Sequence, residues 1–245
     1  MKILVCISVV PETTTKVKFT DGNSKFDTAG VQYIINPYDE LALSKALEIA
    51  EANSGTVTIV NVGGVLNDAV LRKGLAMGAA EAIRVDADPK DAFFVAEQIV
   101  PIAKEGSYDF ILTGRESIDY NSGQVCGFIA EMMELPSINV ITSLDIDGNT
   151  ATMVKDVDGG RETVKCNLPF VASAQKNLIE PRIPNMRGIM AARSKPLNVV
   201  PENGNECSTI FSGFELPAKK GSVKLIDADN AAELINLLKN EAKVI

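Results

Sequence analysis

Between residue 2 and about residue 142, apolar runs of strand length alternate with segments whose apolar residues recur at helical spacing, and no other feature of the chain limits its fold so tightly. The first run, KILVCISVV at 2–10, lacks a polar face, as a strand covered on both sides of a parallel sheet must. GTVTIVNVGG (55–64), EAIRVDA (81–87), YDFILTG (108–114) and PSINVITSLDI (136–146) repeat the pattern. Helical periodicity fills the intervals: IINPYDELALSKALEIAEAN (34–53), DAVLRKGLAMGA (68–79), AFFVAEQIVPIAKEG (92–106) and QVCGFIAEMM (124–133). In the first of these, Asn36 is placed to cap the helix and Pro37 to occupy its first turn, with Asp39 and Glu40 near the positive end. Leu41, Ala42, Ala46, Leu47, Ile49 and Ala50 then form an apolar stripe. The third is expected to stay helical in spite of Pro101. The alternation predicts an α/β protein built on a doubly wound parallel sheet with right-handed crossovers.

After residue 143 the texture changes. NTATMVKDVDGGRETVKCNLPFVASAQ (149–175) reads as two strands joined by a turn at Asp158-Gly159-Gly160, a β-hairpin extension. TDGNSKFD (20–27) is a second, smaller hairpin. Little periodicity follows between Lys176 and about Lys224, where five prolines stand: Pro181, Pro184, Pro196, Pro201 and Pro217. Leu178, Ile183, Met186, Ile189 and Met190 are interspersed there with basic residues, which favours an arm laid on a partner over a disordered tail. An amphipathic helix beginning near Asp229 closes the chain. The expected organisation is therefore a nucleotide-binding α/β domain over 1–175, an extended arm over 176–226 and a C-terminal helix over 227–245 that packs on a partner subunit.

Composition removes several classes of function. The chain of 245 residues has no histidine, which excludes Ser-His-Asp and Cys-His nucleophiles and histidine metal ligands. A net charge of −8 argues against a nucleic-acid surface. Cys6, Cys126, Cys166 and Cys207 stand far apart with no C-x-x-C pair, so no metal site is expected and the thiols read as free groups in a reducing cytosol. The N-terminal apolar run is too short to span a membrane and lacks a signal cleavage site, so a cytoplasmic location without membrane insertion is expected.

The strand-to-helix turn GRESIDYNSGQVCG (114–127) carries the binding chemistry. Such turns lie at the carboxyl edge of an α/β sheet, where ligands bind. Ser122 is placed to cap the following helix, leaving Gly123, Gln124 and Val125 to offer backbone N–H groups to an anion. Gly63 and Gly64, ending the second strand, allow a ligand to approach the main chain closely. Neither a GxxxxGK[ST] loop nor a GxGxxG fingerprint is present, which disfavours nucleoside triphosphate hydrolysis and standard dinucleotide binding.

NPYDELAL, LRKGLAMGA, ILTGRESIDYNSGQV, DGGRETV with LPFV, and NLIEPR with GIMAARSKP occur in that order. Together they resemble the β subunit of electron transfer flavoprotein, over residues 2 to about 200. The resemblance implies an adenine-nucleotide α-hydrolase-like fold and an electron carrier rather than an enzyme. It implies a heterodimer whose α subunit holds the redox-active FAD, while this chain binds AMP. Electrons would come from flavin dehydrogenases, such as the acyl-CoA dehydrogenases of fatty acid oxidation, and pass to the membrane-bound ETF-quinone oxidoreductase. Carried over by motif, the nucleotide contacts fall on Cys6, Asn36, Pro37, Tyr38, Asp39, Val62, Asp119, Tyr120, Asn121, Ser122, Gly123, Gln124, Val125, Cys126, Gly127, Phe128, Ile129 and Ala130, with Tyr38 near the α-subunit flavin. The segment 176–196 matches the family's dehydrogenase-docking loop, implying contacts by Arg182, Ile183, Met186, Ile189, Met190 and Arg193, with Met186 as the apolar anchor. Its basic tail is thinned here to Ala191, Arg193, Ser194 and Lys195. Asp156 matches an acid that holds the partner's flavin domain. Electron-bifurcating β subunits, which bind a second FAD, resemble one another in a glycine-rich loop before the third helix. This chain has VDADPKDAFFVAEQ there, so AMP is expected and FAD is the alternative.

Overall fold

The computed structural model describes every residue from Met1 to Ile245 except Lys220. In chain order the elements are β1 (Lys2–Cys6), β2 (Val9–Pro11), β3 (Phe19–Thr20), β4 (Lys25–Phe26), β5 (Tyr33–Ile35), α1 (Pro37–Ala52), β6 (Thr56–Val62), α2 (Asp68–Met77), β7 (Glu81–Asp86), α3 (Ala92–Gly106), β8 (Phe110–Gly114) and α4 (Val125–Met133). They continue with β9 (Ser137–Asp147), β10 (Thr150–Val157), β11 (Gly160–Asn167), β12 (Phe170–Ala174), α5 (Met186–Ala192), β13 (Leu197–Pro201) and α6 (Ala231–Asn236). One nine-stranded sheet runs in the order β11-β10-β9-β12-β8-β1-β6-β7-β13. All its pairings are parallel except those of β10 with its two neighbours, β9 and β11. The doubly wound α/β fold is thus as the alternation predicts.

Two apolar layers hold it together. Residues of α1 and α2 pack with Ile3, Val5, Ile59, Phe110 and Phe170 on one face of the sheet. Residues of α3 and α4 pack with Leu4, Val60, Ile111 and Val171 on the other. Alternate residues of each central strand therefore serve opposite cores, which is why these strands are predominantly apolar.

The structure departs from the sequence reading in three places. The first strand ends at Cys6, two residues before the expected end near Ser8; Val9–Pro11 turns away and pairs antiparallel with Tyr33–Ile35. The expected second strand of the large hairpin splits at Leu168–Pro169. Gly160–Asn167 is the charged outer edge, whereas Phe170–Ala174, buried at every residue, slots between β8 and β9. A five-residue run with four apolar residues and a single serine demands cover on both faces, which an edge position cannot give. Third, the arm is more regular than its prolines suggest. It carries helix α5, and β13 pairs parallel with β7 at the sheet edge.

Pro101 lies inside α3 and leaves the helix unbroken. Proline lacks the N–H that would bond the carbonyl four residues back. That carbonyl, of Glu97, instead accepts from Asn203 Nδ2 at 2.9 Å, and Asn203 N donates to Gln98 Oε1 at 2.8 Å. The segment leaving β13 is stitched to α3 where the proline frees an acceptor. Asn203→Ala should lower stability by about 1–2 kcal/mol in denaturant titration, through the orphaned carbonyl and the lost side-chain bonds. Limited proteolysis should then cut faster near residues 203–209 than in the parent.

Candidate functional site

The winding reverses at β1. The chain lays β6 and β7 on one side and returns to lay β8, then β9, on the other. The crevice at such a switch point is where doubly wound sheets bind ligands, and a cleft of about 750 Å³ opens there. Cys6, Asp39, Val62, Asp119, Tyr120, Ser122 and Val125 line it, together with Gly63, Gly64 and residues of the turn before α3.

The N-terminus of α1 builds one lip. Asp39, buried in the first turn, accepts from Ser8 N at 2.6 Å through one carboxylate oxygen and from Gly114 N at 2.8 Å through the other. It therefore ties the end of β1 to the end of β8. A side chain at Gly114 would meet Asp39 Oδ1 at 2.1 Å, so only glycine admits the carboxylate. Asn36 does not cap α1 with its side chain. Fully buried, it reaches the loop after β8, donating to Glu116 O at 2.8 Å and accepting from Ile118 N at 3.3 Å. The other lip hangs on amides and a buried arginine. Asn61 donates to Ile7 O at 2.8 Å, Asn67 donates to Asn61 Oδ1 at 3.0 Å, and Arg84 donates to Gly63 O at 2.8 Å. Nothing lies within 4 Å of where a Cβ on Gly64 would stand, which leaves a side-chain-free approach to the main chain.

The turn 114–127 is folded more tightly than its sequence suggests. Ser117 and Ser122 form an antiparallel bridge, Ser117 N donating to Ser122 O at 3.3 Å, and Asn121 at the tip has a φ of 51°. Ser122 is thereby engaged in the bridge and is not the helix cap. Gln124 holds the cap position, without a side-chain bond, and α4 starts at Val125. The free amides at the helix start accordingly belong to Val125, Cys126 and Gly127, later by up to two residues than the sequence placed them.

The other expected contacts separate into groups. Cys126, Ile129 and Ala130 have buried side chains within the α3–α4 core, which leaves only the backbone of Cys126 for a ligand. Pro37 and Tyr38 line a second cavity of about 1180 Å³, which shares Phe26, Asp119, Tyr120, Phe211 and Phe214 with the cleft. Asn121, Gly123, Gln124, Gly127 and Phe128 do not line the cleft. Sequence reasoning missed Lys25, Lys90 and the aromatic wall. Phe211 stacks on Tyr120 with ring centroids 5.0 Å apart, and Phe214 stacks on Phe19 at 5.1 Å. The lysine before α3 follows from the rule that every parallel strand points its carboxyl end to this edge; no local pattern announces the two phenylalanines. In the arm, Ile183, Met186, Ile189 and Met190 are exposed. Arg182 is engaged internally, its guanidinium forking onto Glu51 at 2.6 and 2.7 Å, and Arg193 is exposed. Asp156 faces Arg161 across the β10–β11 hairpin at 3.3 Å.

Burial pushes Asp39 up to about 7, against the backbone donors of Ser8 and Gly114 and the Asn36 side chain, which pull it down. Burial raises the Cys126 thiol to about 11 and, with Asp39 and Cys126 nearby, raises Cys6 as well. Both thiols stay protonated at neutral pH and act as small apolar wall groups. Among the described residues no group of three His, Cys, Asp or Glu side chains could hold a metal, and no helix is long and apolar enough to cross a membrane. Backbone donors at a helix start, a glycine lip and apolar walls can hold a flat heterocycle bearing an anionic group.

A family model described as "Electron transfer flavoprotein domain" matches residues 24–204. The electron transfer flavoprotein subunit beta of Bacillus subtilis (strain 168) is 36% identical over 260 residues, covering all of both chains. That of Syntrophomonas wolfei is 36% identical over 249 residues, covering all of this chain and 98% of the relative. The Bradyrhizobium diazoefficiens subunit is 31% identical over 252 residues, again covering both chains fully.

The tie at Asp39 has a pH signature. Its folded-state value of about 7 lies above the ordinary value near 3.9 of an unfolded chain. Its contribution is therefore fully present below about pH 4 and is lost as the pH rises through about 7. In Asp39→Asn this component of the stability–pH profile should vanish. At pH 5, where that component is still largely present, the variant should be weaker by about 1–3 kcal/mol, because an amide offers one acceptor oxygen to the two backbone donors, and the gap should narrow toward pH 8. Denaturant titrations of both proteins from pH 5 to 8 check the two outcomes together.

Proposed function

The chain belongs to the electron transfer flavoprotein β-subunit family, and on that footing we propose that it binds AMP in the strand-end cleft and, with an FAD-bearing α subunit, relays electrons from flavin dehydrogenases to a membrane quinone oxidoreductase. Its part in electron transfer follows from the family; the nucleotide, the dehydrogenases and the acceptor are this reading's additions. The observation that carries the nucleotide is the cleft at the switch point, with the N-terminus of α4 on one side and the unobstructed main chain of Gly64 on the other. The amide of Val125, at the start of α4 and on the cleft wall, suits the phosphate. The apolar walls, with Val62, Val95 and Ile99 among them, suit the base.

FAD in the α subunit supplies the redox chemistry, and this chain's residues shape its surroundings. Tyr38 lies in the larger cavity beside Tyr33, Ile118 and Tyr120, an apolar wall against which a flavin of the partner would be shielded from water. The same cavity reaches Asn177, Ile179 and Pro181, which lead into the α5 segment. Docking surface and flavin wall are thus neighbours, as electron transfer over a short distance requires. Met186, 73% exposed at the start of α5, presents an unbranched side chain with no internal packing role. Residues 227–245, including α6, carry exposed Leu234, Ile235, Val244 and Ile245, an apolar surface suited to the α subunit.

Val125→Asp separates the nucleotide from the fold. An acid in the first turn favours the helix but competes with phosphate for the same field. Mass spectrometry of nucleotides released from the purified heterodimer should find AMP reduced at least about ten-fold, an expected repulsion of ~1.4 kcal/mol or more, with the FAD content unchanged. Unchanged AMP would refute the phosphate assignment, and two FAD per parent heterodimer would select the bifurcating alternative. Met186→Ala should weaken dehydrogenase coupling at least about 30-fold, as loss of a central anchor typically does, with the melting temperature held. A lowered melting temperature with normal coupling would refute the anchor.

A further inference from the structure

Helix α5 is a short element in a proline-bearing arm, yet it is fastened at both ends and in the middle. Ahead of it, Arg182 N donates to the buried Ser44 hydroxyl of α1 at 2.9 Å, and its guanidinium forks onto Glu51 of the same helix. At its start Asn185 caps the helix by accepting from Gly188 N at 2.9 Å. In the middle, a Cβ on Gly188 would meet the carbonyl oxygen of Ala76, in α2, at 2.2 Å. The two helices touch there without side chains between them. Ala192, four residues on and therefore on the same face, is buried.

The C-terminal ends are capped reciprocally. Arg72 of α2 donates to Ala192 O at 2.8 Å and to Lys195 O at 2.6 Å, supplying cationic donors to the end of α5. Lys195 donates to Leu75 O at 2.9 Å and Ala79 O at 2.6 Å, doing the same for α2. Each helix end thus receives the cation its dipole and orphan carbonyls call for, from the other segment. The opposite face of α5 presents Met186 and Met190, again four residues apart.

We infer that Gly188, Arg72 and Lys195 are positioning residues that hold α5 in its docking pose before any partner arrives, so that Met186 and Met190 engage the dehydrogenase as a preformed plug. The inference rests on the docking role proposed for this segment. A clamped helix has already lost the backbone freedom that a loop folding on its partner would have to surrender, and preorganisation of this kind raises affinity without adding a contact.

Hydrogen exchange on the free αβ heterodimer reads the clamp directly. Peptides spanning 186–192 should exchange at least about ten-fold slower than an unstructured segment, and should lose that protection in Gly188→Val and in Arg72→Gln. Flavin reduction by an acyl-CoA dehydrogenase charged with its acyl-CoA substrate reads the consequence. Both variants should need about ten-fold more dehydrogenase for half-maximal rate while reaching the parent's limiting rate. Arg72→Lys, which keeps a cationic donor, should recover part of both effects. An unprotected α5 in the parent that still couples efficiently overturns the inference, as does lost protection without a change in coupling. Met186→Ala judges the docking role separately: if that variant couples normally the docking reading fails, and the exchange result alone then decides whether the clamp exists.

Discussion

The carboxylate of Asp39 sits where three parts of the chain must agree. Its two oxygens take the first free amide beyond β1 and the last amide of β8, while its backbone belongs to the start of α1. Without such a tie, the ends of two strands that carry opposite arms of a doubly wound sheet would splay at the switch point. Ser8 N and Gly114 N would then face a largely dry crevice without acceptors, which costs more than an ordinary hydrogen bond contributes. The short first strand, the outward turn of Val9–Pro11 and the glycine at 114 all follow from this carboxylate. So does the location of the cleft, since Asn36, three residues earlier, sends its amide to the loop that forms the cleft's other wall.

Much of this was legible in the sequence because the signals were local. Continuous apolar runs such as GTVTIVNV can only be central strands, and Pro37 with Asp39 marks a helix start whatever surrounds it. What could not be read was long-range. The buried apolar Phe170–Ala174 looks like a hairpin continuation until β8 and β9 leave a vacancy between them. Ser122 is a sound capping residue by type, but a bridge to Ser117 competes for it. Asp39 and Asn36 are favourable for a helix N-terminus on general grounds; that their side chains serve other elements is decided by partners roughly 30 to 80 residues away. Phe211 and Phe214, lacking any local signal, enter the site only through stacking.

The proposed docking and nucleotide sites are linked through shared walls more than through chemistry. Tyr120 lies at the tip of the turn that precedes α4, lines both cavities and stacks on Phe211. The α5 segment is fixed to α1 and α2, the helices that also carry Asp39 and the Gly63–Gly64 lip's supporting Asn67–Asp68 turn. A rigid sheet therefore positions two surfaces at once, as expected when loops serve function and packed elements serve geometry.

The stitching of the C-terminal segment has a consequence of reach. Asn203 on α3, Thr209 on Asp91 and Phe214, whose amide donates to Asn23 O at 2.8 Å, are successive moorings. Beyond Phe214 roughly 16 residues lead to α6, a span of at most about 55 Å at full extension. Any body that grips α6 is thus leashed to a fixed point beside the cleft mouth. For a body already bound to α6, contact with a second surface near the cleft is then an intramolecular event confined to that reach. The proline in α3, by freeing one carbonyl, provides the first of these moorings.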